Sequence, residues 1–122
     1  MDPINLKNTL KKGGKVYGTM LWGIDSARLT SFLDSEYLDY AIIEAEHAPR
    51  TLYQINSMTT ALRNKNITSI VRITSPNPEI AGATIDAGAD GILVPYCENI
   101  EELKLSFGRT YFNPLKGEYL KK

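Results

Sequence analysis

The chain has 122 residues, 43% of them apolar, and its 14 Lys and Arg are balanced by 14 Asp and Glu. That length suits one domain with a real core and is too short for two ordinary ones. A net charge of zero argues against a dedicated nucleic-acid binder, which carries a basic face, and leaves room only for a local anion pocket.

In chain order, the turn Lys12-Gly13-Gly14-Lys15 leads into a first predicted strand over 16–22. Asp25 or Ser26 then caps a predicted helix with Leu29, Phe32 and Leu33 at helical spacing. A second strand is predicted over 38–43. Past Pro49, the spacing of Leu52, Ile55, Met58 and Leu62 predicts a helix over 51–62 with one apolar face. The third strand is predicted over 68–73. Asn77, Pro78 and Glu79 supply a cap, a proline at the first helical position and an acidic first turn. That helix stops at Gly88, and the turn through Gly91 feeds a fourth strand over 92–94. Asn99 and Glu102 form a capping-box-like start for a last helix ending near Phe107. The segment from Arg109 to Lys122 has no clear period, and its charged end, 116–122, is expected to be solvated.

Short, β-branched, non-alternating strands separated by helices predict an α/β fold with a parallel sheet covered on both faces. The strand ends near Trp22, Glu44, Arg72 and Pro95 recur every 22 to 28 residues. That period fits a (β/α) barrel, whose loops after the strands open on one face. A complete barrel needs eight units and about 250 residues, and this chain supplies four units. The expectation is therefore a single domain over 1–122 in the form of a half-barrel, with two sheet edges and one apolar face uncovered.

The strand ends hold the reactive groups. Trp22 and Asp25 follow the first strand. Glu44, Glu46 and His47 follow the second and are closed off by Pro49. Arg72 lies near the end of the third, and Pro95 and Tyr96 follow the fourth. His47 is the only histidine, and imidazole exchanges protons near neutrality, so His47 with an adjacent carboxylate reads as a general base and its orienting acid. An arginine among β-branched strand residues is costly unless paired. Its planar fork suits a carboxylate or phosphate. A base and a carboxylate clamp are the minimum for proton chemistry on an oxo acid. Plainer roles stand beside these. Glu44 and Glu46 also fit as helix caps, Arg72 as a structural bridge to Glu44, Trp22 as packing, and His47 as a solvated loop residue. Gly88 and Gly91 are turn glycines, because the order helix–turn–strand is the reverse of a phosphate loop.

Cys97 has no partner for an internal disulfide and no nearby base, so it is expected to be inert. Without a signal peptide, a reducing, cytoplasmic setting is expected. No apolar stretch approaches the roughly 20 residues that span a bilayer, so no membrane partner is expected. One Cys and one His exclude a thiolate or multi-histidine metal site in one chain and leave only carboxylates for a hard cation.

Three stretches, 43–49, 71–72 and 85–95, resemble the HpcH/HpaI aldolases in order and spacing. These are class II enzymes acting on 2-keto-3-deoxy acids, related to the citrate lyase β-subunit barrel. The resemblance runs from about Leu6 to Leu120, including 112–117. It implies reversible cleavage of a 4-hydroxy-2-oxo acid to pyruvate and an aldehyde, through an enolate held on a divalent metal such as Mg, Mn or Co. It implies His47 as the histidine base, Glu44 as its paired carboxylate and Arg72 as the oxo-acid clamp. Trp22 as a substrate-binding residue and Glu46 and Pro95 in support complete the candidate site. Two departures stand out. Glu44 and Ala45 replace the family's aspartate and glycine, and nothing here matches the metal-binding carboxylates of the later strands. The chain thus resembles the N-terminal half of such an enzyme, with weak or no activity expected on its own. Its expected partners are a pyruvate-like oxo acid and either a second copy or another half-barrel. The alternatives are a fragment of a full-length aldolase, a natural half-barrel, and a non-catalytic oxo-acid-binding or assembly module.

Overall fold

In the computed structural model, residues 1–24 and 26–111 are described. Asp25, the 112–117 stretch and the charged end lie outside them. The element order is α1 (Pro3–Lys11), β1 (Gly18–Leu21), a 3-10 helix (Ala27–Phe32), β2 (Tyr40–Glu44), α2 (Leu52–Asn64), β3 (Thr68–Arg72), α3 (Pro78–Asp86), β4 (Gly91–Leu93) and α4 (Ile100–Tyr111). The four strands form one parallel sheet in the order β1-β2-β3-β4. Sequential parallel strands joined by helical crossovers are the arrangement of half a (β/α) barrel.

Capping explains the helix positions. Thr51 and Gln54 close a reciprocal capping box on α2. Asn77 accepts from the amides of Glu79 and Ile80, with Pro78 at the first turn of α3. Asn99 accepts from the Glu102 amide at the start of α4. α4 runs four residues past its expected end at Phe107, to Tyr111.

Two expectations are corrected. The segment after β1 is a 3-10 helix capped by Ser26, and Phe32 is exposed instead of lying on a packed face. Six residues of 3-10 geometry do not carry the 3.6-residue stripe assumed for Leu29, Phe32 and Leu33. The N-terminal helix α1 was not expected at all. Its signal is present: Asp2 accepts from the amides of Ile4 and Asn5, and Pro3 opens the first turn.

Alternation along each strand separates two faces. Leu21, Ala41, Ile43 and Val71 face the helices and are buried with Ile55, Met58, Leu62 and Ala81. Of the four apolar α2 positions named from sequence, Leu52 alone is exposed. The opposite face presents Met20, Ile42 and Ile70, which register places side by side, and Leu93 one step further along, beside Arg72. α1 covers its lower end, where Leu6, Leu10, Tyr40 and Ile42 share a cleft. Met20 and Leu93 remain exposed. Among the described residues, β1 and β4 end the sheet and the inner face is incompletely covered, as expected of four units.

The turn after α3 is tied to α2. The Asn56 amide and the Thr59 hydroxyl donate to the Ala87 carbonyl, and Arg63 donates to the Gly88 carbonyl. Asp90 accepts from the Ser69 amide and hydroxyl. These contacts fix β4 beside β3 and so set the height of the strand ends.

Candidate functional site

The C-terminal ends of β2 and β3 carry the candidate site. Register pairs Glu44 with Arg72, both on the inner face. An arginine in a strand thereby meets its counter-ion one strand away. Glu44 is fully buried, and its Oε2 accepts from Arg72 Nε at 2.6 Å. Its Oε1 accepts from the backbone amides of Glu46 and His47, each at 2.8 Å. Burial pushes the Glu44 carboxyl up. The hydrogen bonds from Arg72 and from the His47 and Glu46 amides outweigh it, and the group is held below the ordinary carboxylate range. The Arg72 guanidinium is pushed up, first by its hydrogen bond to Glu44 and then by the charges of Glu44 and Glu46.

Glu44 gives its oxygens to Arg72 and to the turn backbone, and among the described residues no ion pair joins it to the His47 imidazole. The carboxylate near the ring is Glu46. Its Oε1 lies 3.5 Å from His47 Nε2, and its Oε2 lies 3.1 Å from Arg72 Nε. The Glu46 side chain is 6% exposed and that of His47 is 50% exposed. Local chain direction explains the exchange of roles. Glu44 ends the strand pointing inward, and the turn it caps brings residue 46 back over the same face.

Trp22, just beyond β1, stacks on His47 with ring centroids 6.0 Å apart and planes 29° from parallel. It is exposed, as is Tyr96, which has a positive φ. Pro95 is half-buried just past β4. The structure thus brings Trp22, Glu44, Glu46, His47 and Arg72 into one mouth.

Arg50 was missed by sequence reasoning. Its Nε donates to the Glu44 carbonyl at 2.7 Å and its Nη2 to the Leu21 carbonyl at 3.3 Å. It therefore straps the ends of β1 and β2 together, and these are the ends that carry Trp22 and His47. A cation between a proline and a helix cap was the available signal.

Both close contacts of Arg72 use Nε, so among the described residues its terminal nitrogens carry no hydrogen bond. They form a donor fork at the mouth suited to a carboxylate. A divalent cation does not fit the same place. Glu44 already accepts from three N–H donors, and Glu46 faces the fixed guanidinium charge. Among the described residues no three His, Cys, Asp or Glu side chains gather as a metal site. Among them, too, no helix is long and apolar enough to cross a membrane.

No protein-family model matches the chain. It is similar to a hydroxypyruvate/pyruvate aldolase of Roseovarius nubinhibens, with 30% identity over 98 residues, covering 80% of this chain and 38% of that protein. It is also similar to a 4-hydroxy-2-oxo-heptane-1,7-dioate aldolase of Klebsiella pneumoniae, with 29% identity over 108 residues, covering 88% of this chain and 40% of that protein. Among solved structures, the HpcH/HpaI aldolase from Desulfitobacterium hafniense superposes with a TM-score of 0.79 at 26% identity, over 96% of this chain and 47% of that one. The chain spans less than half the length of each of these three relatives.

Proposed function

We propose that this chain, a partial relative of the HpcH/HpaI aldolases in sequence and fold, carries the base and the oxo-acid clamp of a carbon–carbon lyase. In this reading, residues 1–122 form one unit corresponding to the N-terminal half of the barrel. The observation that carries it is the mouth itself: an arginine fork and a half-exposed imidazole held on adjacent strand ends of a parallel sheet, where such folds place their chemistry.

The roles follow from the contacts. Arg72 binds the carboxylate of a pyruvate-like oxo acid through its terminal nitrogens while Nε stays anchored on Glu44. Trp22 walls the mouth on the first-strand side. Glu44 keeps Arg72 and the 44–47 turn in place. In the cleavage direction, His47 takes the proton of the 4-hydroxyl. The C3–C4 bond breaks, an aldehyde leaves, and pyruvate remains as its enolate, which is reprotonated at C3. Proton transfer of this kind contributes about 10²- to 10⁴-fold.

In related enzymes a divalent metal stabilises the enolate charge. The described residues do not supply its donors, so no step is assigned to it here. A cation's share of enolate stabilisation is several kcal/mol. The chain alone is therefore expected to bind oxo acids and to show weak or no lyase activity. The open edges and inner face call for a second copy or a second half-barrel.

The test is deuterium exchange into the pyruvate methyl group, followed by proton NMR, with Mg²⁺, Mn²⁺ or Co²⁺ added. Slow exchange that disappears in His47→Ala is the expected result, with Arg72→Ala chiefly weakening pyruvate binding. Exchange unchanged in His47→Ala removes His47 from the reaction. Pyruvate binding without any exchange favours a non-catalytic oxo-acid-binding module.

A further inference from the structure

The mouth has one side chain that touches both of its functional halves. Glu46 sets one carboxylate oxygen 3.1 Å from Arg72 Nε and the other 3.5 Å from His47 Nε2. Its side chain is 6% exposed, so the carboxylate is held by its surroundings and not by solvent. Glu44 is engaged elsewhere: its oxygens accept from Arg72 and from two backbone amides.

We propose that Glu46 is the positioning residue of this site, holding His47 with its proton on Nε2 so that Nδ1 is the atom that accepts the substrate proton. The first half of this assignment stands on geometry alone, and the role of Nδ1 rests on the function proposed above.

Donors and acceptors decide the tautomer. An ionised carboxylate only accepts. A neutral imidazole has one N–H and one lone pair, and the partner of one nitrogen decides which nitrogen keeps the proton. A lone pair on Nε2 would face the Glu46 oxygen and be repelled. An N–H there is attracted. The basic lone pair is thereby assigned to Nδ1. Two further contacts keep the arrangement in place. Trp22 stacks beside the imidazole, with ring centroids 6.0 Å apart. Arg72 fixes the far oxygen of Glu46, so the carboxylate cannot swing away without losing its own counter-ion. The groups facing His47 are thus Glu46 from its own turn, Trp22 from the end of β1, and Arg72 behind Glu46 from β3.

His47 is the only histidine, so its ring nitrogens can be read without assignment in the ¹⁵N-labelled full chain. The neutral ring is expected to show the Nε2–H pattern alone. In Glu46→Gln, whose amide both donates and accepts, a mixture of the two tautomers is expected. Glu46→Asp keeps a carboxylate and is expected to restore the Nε2–H preference in part. An Nδ1–H ring in the unaltered chain, or a tautomer indifferent to Glu46→Gln, overturns the proposal. If Glu46→Gln does not fold, the unaltered chain and Glu46→Asp still decide it.

The second measurement is pyruvate exchange. Glu46→Gln is expected to lower the exchange rate at saturation roughly 10-fold, the scale seen when an orienting partner is lost, with a smaller change in pyruvate affinity. Loss of affinity alone would make Glu46 a mere support for Arg72 and would also overturn the proposal. If the tautomer result holds and the unaltered chain shows no exchange, the lyase reading fails while the positioning by Glu46 stands.

Discussion

Ile42 and Ile43 are neighbours on β2 and face opposite sides of the sheet, so truncating each in turn tests the half-barrel directly. Ile43 is fully buried among the helices. Ile43→Ala removes three buried carbons, worth about 2.4 kcal/mol in transfer at ~0.8 kcal/mol each. The cavity left behind raises the cost to about 3–4 kcal/mol. Ile42 lies on the inner face in the cleft under α1 and is only partly covered. Ile42→Ala is expected to cost about 1 kcal/mol, because its side chain is only partly buried and lines an open cleft. Urea unfolding separates the two. With a slope of about 2 kcal/mol/M, Ile43→Ala lowers the midpoint by about 1.5–2 M and Ile42→Ala by about 0.5 M. The measurement is made at a dilution where light scattering reports a monomer. Equal losses in that monomer would mean that the inner face is covered within the chain, and the assignment of an open face would be refuted.

The same open face and the strand edges β1 and β4 predict concentration-dependent association, and a stable monomer at micromolar concentration would count strongly against it. Glu44 gives a pH signature. Its folded pKa lies below the ordinary value of 4.5, so its contribution to stability is present above that value and is lost as pH falls through the folded pKa. Glu44→Gln is therefore expected to flatten the acid limb of the urea midpoint below pH 4.5, and an acid limb identical to that of the unaltered chain would exclude Glu44 as its source. Gly88 has φ +99°, and a Cβ there would sit 3.0 Å from the Thr59 hydroxyl. Gly88→Ala should cost about 1–2 kcal/mol in the same assay, and a neutral result would show that the turn relaxes.

Much of the fold was legible because each signal is local. Caps at Thr51, Asn77 and Asn99 start helices by satisfying amides within three residues. Buried strands announce themselves by β-branched runs. The same local code misled at 27–32, where apolar spacing alone does not choose between α and 3-10 geometry. It was overlooked at Asp2 and Pro3, where a clear cap opens α1.

The sequence by itself determined the strand–helix repeat, the placing of His47 and Arg72 after successive strands, and the resemblance to the aldolases. Those follow from periodicity, capping and order along the chain. Only the tertiary structure decided which carboxylate serves which partner. Glu44 and Glu46 are two residues apart and chemically alike, and nothing local distinguishes them. Register across β2 and β3 commits Glu44 to Arg72, and the turn it caps folds Glu46 back between Arg72 and the imidazole. The strap from Arg50 to the ends of β1 and β2 is of the same kind. Its acceptors are backbone carbonyls on two different strands, and which carbonyls lie within reach is settled only when the sheet has formed.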